Sequence, residues 1–118
     1  MGSNLKHNTL ELTLLFDYYS ELLTAKQREL FDLHYNQDLS LGEIAENEGI
    51  SRQGVHDAIA RAETVLTEFE AKTGCAARIR ALELALDQIT AAAEAIAAGG
   101  DAAALAAQIL ATVHAAKE

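Results

Sequence analysis

Proline is absent from the 118 residues and β-branched residues are sparse, whereas strong helix formers recur along the chain. Because proline breaks helices and β-branched side chains favour strands, this composition predicts an all-α fold. The single cysteine, Cys75, cannot form an intramolecular disulfide, which is typical of proteins in a reducing cytosol. The longest early apolar run, Leu12 to Phe16, is too short for a signal peptide or a membrane span. We therefore expect a cytoplasmic protein without a membrane anchor.

Basic residues are also scarce. The chain has 18 acidic and 9 basic residues, for a net charge of −9. Residues 1–73 hold 13 acidic and 6 basic residues, whereas residues 74–118 hold 5 and 3, so most of the negative charge lies in the first part. A negative field repels the phosphates of nucleic acids. Charge therefore opposes a simple DNA-binding interpretation.

Two helices are predicted before residue 36. Apolar residues recur at helical spacing from Thr9 to Leu23, which predicts a first amphipathic helix. Thr24 and Gln27 have the pattern of a capping box, so a second helix should begin there. Its predicted buried residues are Leu30, Phe31 and Tyr35.

The segment from Ser40 to Phe69 has the spacing of a helix-turn-helix. Ser40 with Glu43 is a second capping box, Gly49 can adopt the left-handed conformation of the tight turn, and Ser51 can cap the next helix. Small Ala45 permits a close helix crossing, and Ile50 with Val55 should lock the two helices together. The inner stripe of the last helix is predicted to be Val55, Ile59, Ala62, Leu66 and Phe69.

If this last helix enters a major groove, the residues opposite its inner stripe contact the bases. Gln53 could pair bidentately with adenine, Arg52 and Arg61 would hold phosphates, and His56 could donate to a phosphate or a base edge. Asp57 lies in the middle of that face and opposes binding, as do the surrounding acids Glu43, Glu46 and Glu48. The predicted nucleic-acid-binding residues are Arg52, Gln53, His56, Arg61 and Thr64.

Alanine dominates beyond Gly74, and aromatic residues disappear. Apolar residues with a/d spacing predict a helix that packs along a partner: Ile79, Leu82, Leu86, Ile89, Ala93 and Ile96. Gly99, Gly100 and Asp101 indicate a helix stop, a turn and a new N-cap, and the returning helix should bury Leu105, Ile109 and Val113. We therefore predict a four-helix domain at residues 1–74 and a helical hairpin at residues 75–118, which would serve as an oligomerisation or packing arm. A low-complexity, solvated arm is the alternative.

Four sequence blocks, taken in order, resemble the YlxM family of small bacterial proteins: residues 14–19 (LLFDYY), 22–27 (LLTAKQ), 40–46 (SLGEIAE) and 51–57 (SRQGVHD). The resemblance covers about residues 9 to 74 and leaves out the alanine-rich tail. The helix-turn-helix is also similar, more distantly, to region 4 of bacterial sigma factors. The resemblance implies a cytoplasmic, all-helical, dimeric protein. YlxM genes lie beside those of the signal recognition particle GTPases, so it also implies a component or regulator of that pathway.

Nothing in the sequence indicates catalysis. There is no glycine-rich phosphate loop, and Cys75 has no histidine or asparagine partner in a catalytic pattern. The four histidines, His7, His34, His56 and His114, lack metal-ligand spacing. We therefore expect no enzyme activity, no cofactor, no metal site and no small-molecule substrate. One aromatic set could stack on single-stranded RNA, but most of it falls on buried faces and favours core packing: Phe16, Tyr18, Tyr19, Phe31 and Tyr35.

Two functional hypotheses follow. The first is a homodimeric regulatory or accessory protein that uses its helix-turn-helix to bind DNA or signal recognition particle RNA, or that acts with the signal recognition particle GTPase. The second is a protein-binding adaptor that uses an acidic helix-turn-helix surface and binds no nucleic acid. A scaffold of this kind serves either role, so the motif alone does not decide between them.

Overall fold

The computed structural model describes the backbone of residues 2–118 and the side chains of residues 9–118. All regular secondary structure in this described part is helical, which confirms the all-α prediction. The chain forms two compact units, Met1–Gly74 and Cys75–Glu118. Its α-helices are α1 (Gly2–Tyr19), α2 (Ala25–Tyr35), α3 (Leu41–Glu48), α4 (Arg52–Thr73), α5 (Cys75–Ala97) and α6 (Ala102–Lys117).

The long helix α4 is the centre of the first unit, because α1, α2 and α3 all pack against it. Its predicted inner stripe is buried at four positions, and Val55, Ala62 and Leu66 have no exposed surface. The prediction for Phe69 is wrong. Phe69 is 36% exposed, and its ring makes a T-shaped contact with Tyr19 at a centroid distance of 4.8 Å.

The first helix differs from its prediction of Thr9 to Leu23. Helix α1 begins at Gly2 and ends at Tyr19, and a short 3₁₀ turn follows at Ser20–Leu22. The α-helix ends early because Leu23 is extended and leads into the N-cap Thr24. The Arg28 side chain donates to the carbonyls of Ser20 and Leu23, at 3.2 and 3.3 Å, and so holds the turn.

The predicted N-caps are confirmed. The Thr24 hydroxyl accepts from the Gln27 amide at 3.1 Å, and the Thr24 amide donates to the Gln27 side chain at 3.0 Å. Ser40 and Glu43 make the same reciprocal pair, and the Ser51 hydroxyl accepts from the Gly54 amide at 2.9 Å. Each cap satisfies amides that a helix start leaves unpaired, so local sequence fixes where α2, α3 and α4 begin.

Helices α2 and α3 are tied at both ends. Near their connecting loop, His34 Nδ1 donates to the Leu39 carbonyl at 2.9 Å. At the other end, Lys26 Nζ donates to Glu48 Oε1 at 2.6 Å. This bond lowers the pKa of Glu48 and raises that of Lys26. These contacts fix the angle at which α3 is presented to α4.

Aromatic side chains fill the space between α1 and α2. Phe16 stacks on Phe31 at a centroid distance of 4.6 Å, and Phe31 also packs on Tyr35 at 4.5 Å. Phe31 has no exposed surface and Tyr19 is 6% exposed. Tyr19 and Phe31 therefore belong to the core, as predicted, whereas Phe16, Tyr18 and Tyr35 are half-buried.

The second unit is the predicted helical hairpin. The Asp101 side chain caps α6 by accepting from the amides of Ala103 and Ala104, at 3.1 and 3.2 Å. Leu105, Ile109 and Val113 are half-buried along α6. On α5, however, the first half of the predicted a/d stripe is exposed, with Ile79 at 41%, Leu82 at 40% and Leu86 at 61%.

A pair of glycine substitutions in one helix tests the turn of the helix-turn-helix. Gly49 has φ 70° and Gly42 lies within α3. We expect Gly49→Ala to destabilise the protein by about 1 kcal/mol, because a Cβ disfavours the left-handed conformation. Both positions have space for the added methyl group. A Cβ at Gly42 would lie 4.0 Å from Ser40 Oγ, and a Cβ at Gly49 would have no atom within 4 Å.

The matched control is Gly42→Ala, which should stabilise the protein by roughly 0.5–1 kcal/mol because alanine favours helix. Urea unfolding followed by circular dichroism measures both. Equal effects of the two substitutions would contradict the role of backbone conformation at Gly49.

Candidate nucleic-acid interface

The α3–α4 connection has helix-turn-helix geometry. Gly49 ends α3 in the left-handed conformation, and the Ile50 amide donates to the Ala45 carbonyl at 3.2 Å. Ile50 does not lock the helices together as predicted, since it is 39% exposed. The lock is made instead by Ile44 and Val55, which are fully buried in one cluster with Leu30 and Ile59. This packing fixes the rotation of α4, and therefore which of its residues point outward.

All predicted site residues lie on α4 with exposed side chains: Arg52, Gln53, His56, Arg61 and Thr64. We call the surface formed by the exposed Gln53, Asp57 and Thr64 and the half-buried Ala60 the reading face. Arg52 and Arg61 are separated by about two and a half helical turns, so they lie on opposite flanks of this face. The structure thus places the two arginines as a pair of flanking cations.

The two flanks open into different grooves. Arg52, Gln53 and His56 line a groove of about 250 Å³ with Leu41 of α3. Arg61 and Thr64 line a second groove, of about 410 Å³, with Gln27 of α2. Sequence reasoning missed Leu41 and Gln27 as groove residues, because their place beside α4 depends on tertiary packing. The Thr64 hydroxyl donates to the Ala60 carbonyl at 3.0 Å, so it faces outward mainly as an acceptor.

Asp57 organises the middle of the reading face. Its Oδ1 accepts from Gln53 Nε2 at 2.9 Å, one turn earlier on the helix, and lies 3.4 Å from His56 Nδ1. The hydrogen bond from Gln53, with a smaller contribution from His56, lowers the pKa of the Asp57 carboxyl. The amide expected to pair freely with adenine is therefore already engaged.

The acidic residues near this face are less available than the sequence suggested. The Glu43 carboxylate accepts from the Ser40 amide at 2.9 Å, which lowers its pKa. Glu48 is paired with Lys26. Within the described part of the chain, Glu46 is the member of the trio without a side-chain partner. Two of the three carboxylates thus have structural partners, and the charge of Glu48 is balanced by Lys26.

The described side chains contain no group of three histidine, cysteine or acidic residues that could hold a metal ion. His34 and His56 both line a small cavity of about 60 Å³, whereas the His7 side chain lies outside the described residues. Across the described segment, no helix is both long and apolar enough to span a bilayer.

The Gln53–Asp57 contact can be tested by titration. We expect Gln53→Ala to raise the pKa of Asp57 toward its ordinary value, because the main hydrogen bond to the ionised carboxylate is lost. Carboxyl ¹³C chemical shifts measured against pH would report the midpoint. The control is Gln37→Ala, which removes an exposed amide bonded to Asp32 at 2.9 Å and should leave Asp57 unchanged. An unchanged Asp57 midpoint in Gln53→Ala would refute the contact.

Comparison with known proteins places the chain in a family. The model of the UPF0122 family, described as "Putative helix-turn-helix protein, YlxM / p13 like", matches residues 6–98. A UPF0122 protein of Thermoanaerobacter sp. (strain X514) is 51% identical over 80 residues, which cover 68% of each chain. One from Halalkalibacterium halodurans is 46% identical over 81 residues, covering 69% of this chain and 74% of that protein.

The family match extends beyond the sequence blocks that first indicated it. Those blocks end before Gly74, whereas the matched region continues to residue 98 and so includes α5. Residues 1–5 and 99–118, the latter including α6, lie outside the match. The protein is a member of the UPF0122 family of YlxM/p13-like helix-turn-helix proteins.

Proposed function

We propose that the protein is a regulatory or accessory nucleic-acid-binding protein that inserts the reading face of α4 into a major groove. The placement of Arg52 and Arg61 carries the proposal. Within the described residues, neither guanidinium group has a hydrogen-bond partner or a close ion pair, although the charge of Arg61 contributes to lowering the pKa of Asp57. The two positions lie nine residues apart, which corresponds to half a turn around the helix, so the side chains leave α4 on opposite sides of the reading face. One arginine can therefore reach each bordering backbone.

Duplex DNA is the favoured ligand class over duplex RNA. The major groove of A-form RNA is deep and narrow, and a helix cannot enter it. The signal recognition particle RNA and its GTPase remain the partners implied by the sequence resemblance, so the RNA is the second ligand to test. Two phosphate contacts per protomer give a weak, strongly salt-dependent affinity.

A homodimer would present two copies of α4, and the hairpin supports such an assembly. Ile79, Leu82 and Leu86 are large apolar side chains on α5, and each is at least 40% exposed. They follow steps of three and four along the helix, which places them on one face that a second copy can cover. We propose this face as the dimer contact.

The binding proposal predicts a defined loss in the Arg52→Ala, Arg61→Ala double variant. Because two phosphate contacts are removed, the slope of log K against log salt should fall by roughly 2, and affinity for all duplex sequences should fall together. Fluorescence anisotropy with duplex DNA, and in parallel with signal recognition particle RNA, measures both quantities. The charge-matched control is the Arg80→Ala, Lys117→Ala variant, which removes two cations from the hairpin.

We expect the wild type to bind, the double arginine variant to show a reduced salt slope, and the hairpin control to keep the slope of the wild type. If both variants bind as the parent does, α4 is not the contact. If no nucleic acid binds even at low salt, the proposal is wrong.

The dimer proposal predicts that Leu82→Glu with Leu86→Glu yields a monomer, because four carboxylates would meet at a twofold interface. These side chains are exposed, so the fold of the protomer should persist. Sedimentation velocity of the full chain measures the mass. The control is Leu110→Glu, a change at a 58% exposed leucine on α6, which should remain dimeric. A double variant that sediments as a dimer would rule out this face.

One observation favours a second candidate function. The Gln53 amide is bonded to Asp57 in the middle of the reading face, and the net charge is −9. A protein-binding adaptor with a basic partner would use such a surface directly. Under that function the double arginine variant binds its protein partner normally, whereas Glu46→Gln and Asp57→Asn weaken the complex.

A further inference from the structure

On the reading face, the hydrogen bond between Gln53 and Asp57 determines which of their side-chain atoms remain available as donors and acceptors. An ionised carboxylate only accepts hydrogen bonds, so the Gln53 side chain must turn its NH₂ group toward Asp57 Oδ1. The lowered pKa of Asp57 keeps that carboxylate ionised at neutral pH. Gln53 Oε1 is consequently the end of the amide that is left for a ligand.

Asp57 keeps a second acceptor as well. Both contacts, with Gln53 and with His56, involve Oδ1. Within the described residues, Oδ2 has no hydrogen-bond partner. Gln53 and Asp57 are both exposed, and they lie one helical turn apart on the same face. The pair therefore presents two oxygen acceptors side by side, with one remaining N–H of the amide beside them.

Base edges differ in how they complement such a pair. In the major groove, cytosine presents its N4 amino group and adenine its N6 amino group next to the N7 acceptor. Guanine presents two acceptors, and thymine presents an acceptor and a methyl group. An acceptor pair bonds to the first two bases and leaves the acceptors of the other two facing a carboxylate. The unpaired acceptors of guanine and thymine make the binding free energy less favourable, because they lose their hydrogen bonds to water without gaining a donor.

We propose that Asp57, with Gln53, determines specificity by selecting the exocyclic amino group of cytosine or adenine in the major groove. The inference rests on the proposed function of α4 and adds the chemical class of base edge that α4 reads. It also gives Asp57 a role that its charge alone does not suggest. A carboxylate on this face weakens binding to every duplex, but it weakens binding least where an amino group meets it.

Arg52 and Arg61 are suited to complement this role. They carry no base information when they contact phosphates, and their positions on opposite flanks hold the axis of α4 in the groove. Ala60 has the smallest side chain of the reading face and lies between Asp57 and Thr64 in sequence. A methyl group there leaves room for a base edge to approach the carboxylate.

The experiment begins with selection of bound sequences from a random duplex DNA library, using the full chain at low salt. Four duplexes that differ only at the most constrained selected position are then compared by anisotropy. Read on one and the same strand, both cytosine and adenine at that position should give tighter wild-type binding than both guanine and thymine, by at least about fivefold. The Asp57→Asn variant keeps the shape and the bond to Gln53 but adds an N–H donor. Its preference should fall toward one as guanine and thymine become acceptable.

The matched control is Glu46→Gln, which removes one negative charge from an exposed position on α3, outside the reading face. It should raise affinity for all four duplexes alike and leave the preference intact. If Asp57→Asn does the same, Asp57 acts through charge only and the inference is overturned. A wild type that binds duplexes without base preference also overturns it while α4 binding stands. Absence of any duplex binding at low salt overturns the proposed function together with the inference.

Discussion

The burial of one stripe of α4 is the constraint on which the first unit depends. Val55, Ile59, Ala62 and Leu66 are at most 4% exposed, and the three preceding helices meet there. Each large side chain buried in this way contributes roughly 1.5–3 kcal/mol. Since the inner stripe cannot rotate without exposing these side chains, the outer face of α4 is fixed as well. The candidate interface is thus set by core packing and needs no ordering when a ligand arrives.

The acidity of the chain has a structural explanation. Glu43 completes a cap with Ser40, and Glu48 pairs with Lys26. On α4, Glu63 accepts from the phenol of Tyr35, and Glu70 accepts from that of Tyr19. Burial, with the bond to Glu63, raises the pKa of Tyr35 well above its ordinary value, so the phenol remains a donor. These carboxylates thus serve as internal acceptors, and the charge of Glu48 is balanced by Lys26.

Local rules account for what the sequence predicted well. Caps at Thr24, Ser40 and Ser51 and the turn at Gly49 depend on a few neighbouring residues, so the starts of three helices could be read directly. Contacts beyond the nearest neighbours account for what it did not, including the turn after α1, where the Arg28 side chain donates to the carbonyls of Ser20 and Leu23. The grooves beside α4 were missed for the same reason. The Gln53–Asp57 hydrogen bond could have been predicted from the sequence, because glutamine and aspartate four residues apart on a helix are a known side-chain pair.

The hairpin follows a different physical balance from the first unit. Alanine lets α5 and α6 approach closely, but each methyl group buries little area, and no side chain of α6 is fully buried. Such a unit gains stability when further apolar surface is covered, and Ile79, Leu82 and Leu86 supply that surface. Dimerisation through these side chains would also compensate for the low affinity expected of a single α4 for nucleic acid. Helix α4 carries two arginines, and in the proposed dimer two linked copies of the helix would add to affinity, because the second contact benefits from a high effective concentration.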